Sequence, residues 1–442
     1  MISVLANAWA LLLGMGLIML GNGLQGSLLG IRASMEGFEL TTTGLVMSGY
    51  FIGLLIGCLQ TPKLVARVGH IRIFGALASL ASTSILVQAT FVDPFIWWSM
   101  RVVTGFAYAG IYIVAESWLN EASDNESRGK LLSIYMLISL GGLAGGQLLL
   151  NVSSPNGFEL FVLVSLLVSL ALIPILLSAA KAPSIETPET VSIRQLYQVS
   201  PLGVVGMFVT GVAMGTVFGM GPVYATEIST SVKDVSLFMG ILILGGFLFQ
   251  YPLGWLSDQY GRRKIIIFCG LSCCLFAVFA STGLKQDWSF FFFAALVGGL
   301  STPLYSLCGA HTNDYLSPKQ MVAASGTLVL INASGAVMGS PVTSYMMKYF
   351  GPGAFYISIA ITMGMIAIFA LWRSTRRTLA ADADRGEFIV MSPSPLSASL
   401  TPEVELETIE AAASYDAEEI QSSFEELAQE LRQDDESDQD ES

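Results

Sequence analysis

Apolar segments of about 20 residues recur along almost the whole 442-residue chain. Twelve such segments lie at residues 5–30, 41–60, 72–91, 95–120, 131–151, 160–180, 202–225, 235–256, 265–283, 288–312, 323–347 and 354–372. A helix of about 20 residues crosses the roughly 30 Å hydrocarbon core of a bilayer. Because lipid offers no partner to a backbone N–H or C=O group, such segments must be helical. We therefore predict an all-α membrane protein with twelve transmembrane helices, numbered here as spans 1 to 12.

The net charge of −13 combines two regions of opposite character. Residues 378–442 contain 19 acidic residues and two arginines, whereas residues 1–377 contain 15 acidic residues and 19 bases. This tail is predicted to be an acidic, disordered and cytoplasmic segment. Apolar residues at helical spacing near 416–432 predict one short amphipathic helix in it. The tail either docks on basic loops or on a cytoplasmic partner, or only aids solubility.

The bases are distributed unequally between the two sides of the predicted bundle. Fourteen Lys and Arg residues fall in the 2–3, 4–5, 6–7, 8–9 and 10–11 loops and just after span 12, and four fall on the other side. Loops rich in Lys and Arg remain in the cytoplasm. We therefore predict that both termini of this multi-pass protein are cytoplasmic.

The chain contains a duplicated loop. The Pro-, Ser- and Thr-rich connection at 181–201 separates a six-span bundle at 1–180 from a second one at 202–377, and the tail follows at 378–442. The segment PKLVARVGHIR (62–72) lies between spans 2 and 3. The segment GWLSDQYGRRK (254–264) occupies the corresponding place between spans 8 and 9, and Gly69 aligns with Gly261. Two related six-span bundles are typical of alternating-access carriers. The alternative is that any tight cytoplasmic turn favours glycine and bases; His70 in this turn is expected to be solvated.

GWLSDQYGRRK resembles the signature loop of the major facilitator superfamily (MFS), and RVGHIRIF, AESWLN and RGKLLSIYMLISLGGLAGGQLLL resemble a bacterial subgroup with mostly unassigned substrates. The resemblance implies the MFS fold, with two pseudo-symmetric six-helix bundles, in a bacterial inner membrane. It also implies that the loop acid Asp258 braces the start of span 5 near residues 129–131. Ala66 replaces the corresponding acid of the first half, so the gate is expected to be asymmetric. The expected cytoplasmic gate residues are Gly69, Arg72, Arg128, Gly254, Asp258, Gly261, Arg262 and Arg263.

Span 4 contains the most informative polar pattern. Arg101, Gly105, Tyr108, Tyr112 and Glu116 are spaced so that they lie on one face of a helix. Since a charge in hydrocarbon is costly unless it faces a cavity or a partner, this face is expected to line the substrate pathway. Arg101 resembles the span-4 arginine that assists proton transfer in the superfamily; a structural role is the alternative. Glu116 is either a protonatable coupling group or a gate acid that pairs with Arg128 or with loop bases.

Polar residues in other spans complete the predicted pathway. They are Asn22 and Gln25 in span 1, Tyr305 and His311 in span 10, and Asn332 in span 11. Intramembrane amides often bond only to neighbouring helices, so about half of these residues are expected to do so. An imidazole titrates near neutral pH, and His311 is therefore a second candidate for proton transfer.

No catalytic motif is present: the chain lacks GxxxxGK[ST], HExxH and GxSxG. The five cysteines all fall in predicted spans, which indicates neither disulfides nor a metal site. We expect no enzyme activity, cofactor, metal or nucleic-acid partner.

The predicted function is gradient-driven transport of a small polar or amphipathic solute, coupled to protons or another ion. A proton-antiport exporter and a non-transporting sensor that signals through the tail are the alternatives. Gly146 is followed by Gln147, so the Gly-Pro antiporter signature is absent.

Overall fold

The structure is a computed structural model that describes residues 2–122, 128–177, 191–229, 231–282 and 288–375. The side chains of residues 2–7, 120–122, 128–130, 318, 319 and 322 lie outside the description. The tail with its predicted amphipathic helix also lies outside the described residues. Throughout the described ranges, every regular element is a helix.

Twelve described helical segments are long and apolar enough to cross a membrane, as predicted. Most begin or end a few residues beyond the apolar segments, because helices continue into polar boundary residues. The spans are Ile2–Met35, Leu40–Val68, His70–Thr90, Pro94–Ala122, Arg128–Leu148, Glu159–Leu177, Pro201–Ile228, Val232–Tyr260, Arg262–Ser281, Trp288–Asn313, Pro318–Phe350 and Ala354–Ser374.

Two spans are interrupted. Span 7 contains a π-helical turn, Thr216–Met220, between the α-helices Pro201–Gly215 and Gly221–Ile228. Span 10 breaks at Thr302, between Trp288–Ser301 and Pro303–Asn313. Proline has no backbone N–H group and cannot continue the hydrogen-bond ladder, which explains the break before Pro303. Breaks at this depth are tolerated where other helices surround the backbone.

The two halves pack their helices in the same pattern. Spans 1, 2 and 3 contact spans 5, 4 and 6, and spans 7, 8 and 9 contact spans 11, 10 and 12 in the same order. Glycines permit the closest approaches: a Cβ atom on Gly105 would lie 1.8 Å from the Tyr50 carbonyl oxygen, and one on Gly298 would lie 2.1 Å from that of Leu242. Small residues at such crossings let backbones touch. The fold is therefore two pseudo-symmetric six-helix bundles.

The duplicated loops adopt the same conformation. Gly69 has φ +90° and ψ 157°, and Gly261 has φ +93° and ψ 130°. Each glycine ends one helix and immediately starts the next, so that the turn consists of one residue. An L-residue rarely adopts this backbone conformation, whereas glycine adopts it without a steric penalty.

The halves meet along spans 2 and 11, spans 5 and 8, and spans 1 and 7. We call the end of the bundle that carries the 2–3, 8–9 and 10–11 connections the basic end, and the other the opposite end. The described part of the connection between the halves contains a short helix. Ile193–Val199 forms a helix that begins with a Ser192–Gln195 capping box and buries Leu196. The reciprocal bonds of the capping box satisfy two N–H groups at its start.

Candidate functional site

A cationic and aromatic cluster lies between spans 2 and 4. Arg101 is only 4% exposed, and its Cζ atom lies 4.7 Å from the centre of the Tyr50 ring. The Tyr50 and Tyr108 rings are 6.2 Å apart. Within the described part of the chain, Arg101 has no hydrogen bond or ion pair. A cation–π contact compensates only part of the cost of burying a charge. The guanidinium of Arg101 therefore lacks a counter-ion among the described residues.

Span 1 joins this cluster through Tyr112. The Tyr112 ring lies 6.2 Å from that of Tyr108, and Asn22 Nδ2 donates to the Tyr112 hydroxyl at 3.1 Å. Asn22 and Tyr112 are both half-buried, so this edge of the cluster is more accessible than Arg101 and Tyr108. Gln25, one helical turn from Asn22, is buried, and its Nε2 atom has no partner among the described residues. The structure thus brings together Asn22 and most of the span-4 stripe.

Glu116 marks the other end of the stripe, where the two halves meet. Its side chain is 1% exposed. Three groups lie within electrostatic range of its carboxyl group: Cys58 of span 2, Tyr135 of span 5 and Tyr305 of span 10. Tyr305 belongs to the second half, so Glu116 lies at the interface between the halves. The carboxyl group is therefore enclosed inside the bundle and does not lie at its surface.

The remaining predicted pathway residues lie away from Arg101. His311 is buried in span 10, with its ring edge-on to Tyr315 at 5.3 Å. Asn332 Nδ2 donates to the Met207 carbonyl oxygen at 3.0 Å and to Thr210 Oγ1 at 3.2 Å. Asn332 therefore joins spans 7 and 11, which is the interhelical role left open for these amides.

A charge cluster occupies the 8–9 turn at the basic end. Arg262 Nε donates to both carboxylate oxygens of Asp314 at 2.9 Å, and Nη1 donates to Asp258 Oδ1 at 3.1 Å. Arg262 is 3% exposed and Asp314 is 5% exposed, whereas Asp258 is 35% exposed. This buried pair connects the turn to the end of span 10.

The other predicted gate residues differ in exposure. Arg263 is buried, Arg72 is exposed, and the Gly254 carbonyl oxygen accepts a 2.6 Å bond from Ser257 Oγ. The side chain of Arg128 lies outside the description. Bracing of span 5 by Asp258 therefore stays a prediction.

Sequence reasoning missed several residues of these clusters. Asp314 is the acid that follows the last turn of span 10, and that position was the signal that could have identified it. Tyr50 and Tyr135 are hydroxyl-bearing aromatic residues inside spans 2 and 5, but their hydropathy resembles that of ordinary core residues. Only packing distinguishes these two tyrosines from other buried rings.

The expectation for His70 was wrong. Its side chain is 3% exposed, and Nε2 lies 3.2 Å from Ser117 Oγ of span 4. Span 3 begins at His70 directly after the glycine turn, so this first side chain lies on the face that packs against span 4. A one-residue turn leaves it no room to extend into solvent.

The halves touch directly at the opposite end. A Cβ atom on Gly44 of span 2 would lie 2.0 Å from Ser344 Oγ of span 11. Ser236 Oγ of span 8 donates to the Gln147 carbonyl oxygen of span 5 at 2.6 Å. Lys348 Nζ lies 3.1 Å from Glu39 Oε2, across the same interface. This end of the interface is therefore closed by backbone, hydroxyl and ionic contacts.

Two six-span bundles with a shared interface and duplicated glycine turns define a membrane transporter of the two-repeat class. The family model of the Major Facilitator Superfamily matches residues 11–230 and 203–404. The chain belongs to this superfamily and is a multi-pass membrane protein.

Curated proteins that are similar in sequence are also described as MFS transporters. An uncharacterized MFS-type transporter, YcaD, of Escherichia fergusonii is 26% identical over 370 residues, covering 83% of this chain and 96% of the relative. An uncharacterized MFS-type transporter of Enterobacter sp. strain 638 is 25% identical over 355 residues, covering 79% and 91%. The chain is thus similar to MFS transporters without an assigned substrate.

Solved structures share the fold at low sequence identity. The nucleoside transporter NupG superposes with a TM-score of 0.68 at 14% identity, covering 83% of this chain and all of that chain. A bacterial homologue of the human lysosomal transporter Spinster gives 0.63 at 13%, covering 84% and 95%. The Escherichia coli fucose:proton symporter FucP gives 0.55 at 13%, covering 85% and 100%.

Proposed function

We propose that this protein is a secondary active transporter that moves a small polar or amphipathic solute across the bacterial inner membrane. Transport proceeds by alternating access and is coupled to protons. The basic end faces the cytoplasm, in accord with the bias of Lys and Arg. The observation that carries the proposal is the interface between the halves, which is closed at the opposite end by short contacts and contains charged groups farther in.

Alternating access requires that the closed end separates without rupture of either bundle. The polar contacts there suit this requirement, because each connects one half to the other. Apolar side chains of both halves, among them Met47, Met220 and Val223, share one core at the same end. Gly44 against Ser344 is the tightest, and the Glu39–Lys348 pair is exposed to water. Exposed ion pairs and single hydrogen bonds are readily exchanged for water. These polar contacts are therefore the ones expected to be exchanged for water when the halves separate at this end.

Proton coupling requires a titratable group whose protonation changes with conformation. Glu116 is the candidate, since it is buried and lies within electrostatic range of Tyr305 of the other half. Separation of the halves at the basic end exposes Glu116 to water and thereby favours its charged form. This mechanism links proton release to opening towards the cytoplasm.

The test compares metabolites inside and outside cells that contain the wild-type protein, Gly44→Ala or Gly141→Ala at equal membrane levels. Gly44→Ala obstructs closure of the opposite end, whereas a methyl group on Gly141 meets no atom within 4 Å. We expect at least one solute to redistribute with wild type and Gly141→Ala, and several-fold less with Gly44→Ala. Equal metabolite distributions for wild type and an empty vector would contradict transport and favour a sensor.

A further inference from the structure

We propose that Arg101 and the surrounding tyrosines form the binding site for an organic monocarboxylate, which is the class of solute transported. This inference rests on the proposed transport function and adds the substrate class. Arg101 is 96% buried and has no acid partner among the described residues, so its positive charge is not neutralised by an ion pair there. Glu116 is 15 residues farther along the same helix, which corresponds to about 22 Å.

A bound anion would supply the missing counter-ion. Burial of a guanidinium without one is unfavourable, and charged residues inside membrane spans usually pair with another group or line a substrate pathway. The guanidinium has five N–H donors in a planar fork that matches the two oxygens of a carboxylate. Tyr50 lies against the guanidinium at 4.7 Å and thereby holds it in place without consuming its donors.

Two more polar groups in this region lack partners. The Tyr108 hydroxyl and Gln25 Nε2 are buried, and neither has a hydrogen-bond partner within the described ranges. Asn22 and Tyr112 are bonded to each other and fix the relative heights of spans 1 and 4. Gln25 follows Asn22 by about one helical turn in span 1, and Tyr108 precedes Tyr112 by about one turn in span 4. Because these two spans run in opposite directions, both residues lie closer to the opposite end than the Asn22–Tyr112 bond does. Both groups can donate, as Arg101 does, so the cluster offers donors to an acceptor-rich group.

The number of charges and the apolar lining narrow the class of anion. One cation balances one negative charge, whereas phosphate groups usually recruit several bases or a helix N-terminus. The three tyrosine rings and Met19, whose sulfur is 3.6 Å from the Tyr112 hydroxyl, provide an apolar surface beside the donors. A monocarboxylate with a compact apolar body, aromatic or aliphatic, satisfies both features. Half-buried Asn22 and Tyr112 mark the edge by which it enters.

The first test measures the apparent melting temperature of the detergent-purified full chain with benzoate or hexanoate. Benzamide and hexanamide are the neutral isosteres. We expect both carboxylates to stabilise the wild-type protein in a saturable manner, and the amides at least tenfold more weakly. Arg101→Gln should raise the apparent Kd for the carboxylates at least tenfold, and Tyr108→Phe should raise it by a smaller factor. Arg373→Gln, at the end of span 12, should leave it unchanged.

The ligand-free melting temperature is a second readout that does not depend on finding the best ligand. Removal of an uncompensated buried charge should leave Arg101→Gln at least as stable as wild type, whereas loss of a structural arginine would lower the melting temperature. A lower value, equal stabilisation by amides and carboxylates, or no stabilisation by either carboxylate would overturn the assignment. If the metabolite comparison finds only a neutral or cationic solute, transport stands and the carboxylate site fails. If it finds no solute, the transport proposal fails too.

Discussion

Arg262 Nε donates to both carboxylate oxygens of Asp314 at 2.9 Å, and these side chains are 3% and 5% exposed. The pair connects the one-residue turn after span 8 to the end of span 10. A buried pair of this kind is weak evidence for net stabilisation, but loss of one partner leaves the other charge buried. Loss of Asp314 would therefore remove the buried counter-ion of Arg262 and leave it the more exposed Asp258.

Asp314→Asn should destabilise the protein by about 3–5 kcal/mol, because Arg262 loses its buried counter-ion. Asp258→Asn removes the more exposed partner and should cost under about 1 kcal/mol. Thermal unfolding of the purified variants measures both effects. Equal losses for the two variants would show that burial does not distinguish the two carboxylates. The double variant Arg262→Met with Asp314→Leu should recover most of the lost stability.

Gly69→Ala and Gly261→Ala should each cost about 1–3 kcal/mol, since alanine at φ near +90° is strained whatever the surrounding space. Nothing lies within 4 Å of a Cβ atom on Gly69, so steric collision is not the cause there. Gly141→Ala is the matched control, because it adds the same methyl group to an exposed helical position. It should be neutral or slightly stabilising. A neutral result at Gly69 would refute the strain argument.

Opening of the opposite end should depend on the Glu39–Lys348 pair and on pH. The hydrogen bond and charge of Lys348 hold the pKa of the Glu39 carboxyl below its ordinary value. A lowered pKa means that the pair stabilises closure above the ordinary glutamate pKa of about 4.3. This stabilisation is lost as pH falls through the lowered pKa.

Glu39→Gln should therefore favour the open state at pH 7, and its difference from wild type should shrink as pH falls below about 4.3. Distances between spin labels at Met35 and Phe350, both exposed at this end, report the opening. Lys348→Gln should act alike, and the double variant should add little to either single one. A Glu39→Gln effect that persists unchanged at pH 3 would exclude the ionic contribution.

Glu116→Gln should abolish accumulation driven by a pH gradient while exchange of solute across the membrane persists. The amide has nearly the same shape as the carboxyl group but cannot release a proton. Proteoliposomes with an imposed gradient measure accumulation, and preloaded vesicles without one measure exchange. Glu159→Gln, an exposed acid at the start of span 6, is the control. Accumulation by Glu116→Gln at wild-type level would assign proton coupling to another group, and loss of exchange as well would indicate a gate role.

Much of the architecture follows from the sequence because its determinants are local. Segment length and hydropathy predicted twelve spans, and helical periodicity aligned Arg101, Tyr108, Tyr112 and Glu116 on one face of span 4. The duplicated glycine turns required only recognition of a repeated pattern, since φ near +90° is a property of a single residue.

The site depended on tertiary structure, because packing sets the rotation and height of each helix. Gly105 against the Tyr50 carbonyl group brings spans 2 and 4 together closely enough for Tyr50 to cover Arg101. Asn332 could face the pathway or span 7, and only the contact with Met207 decided between them. Asp314 and Arg262 are 52 residues apart in the chain, a separation at which sequence pattern carries no distance information. Hydropathy places a residue in the membrane, whereas contacts between helices determine what it faces.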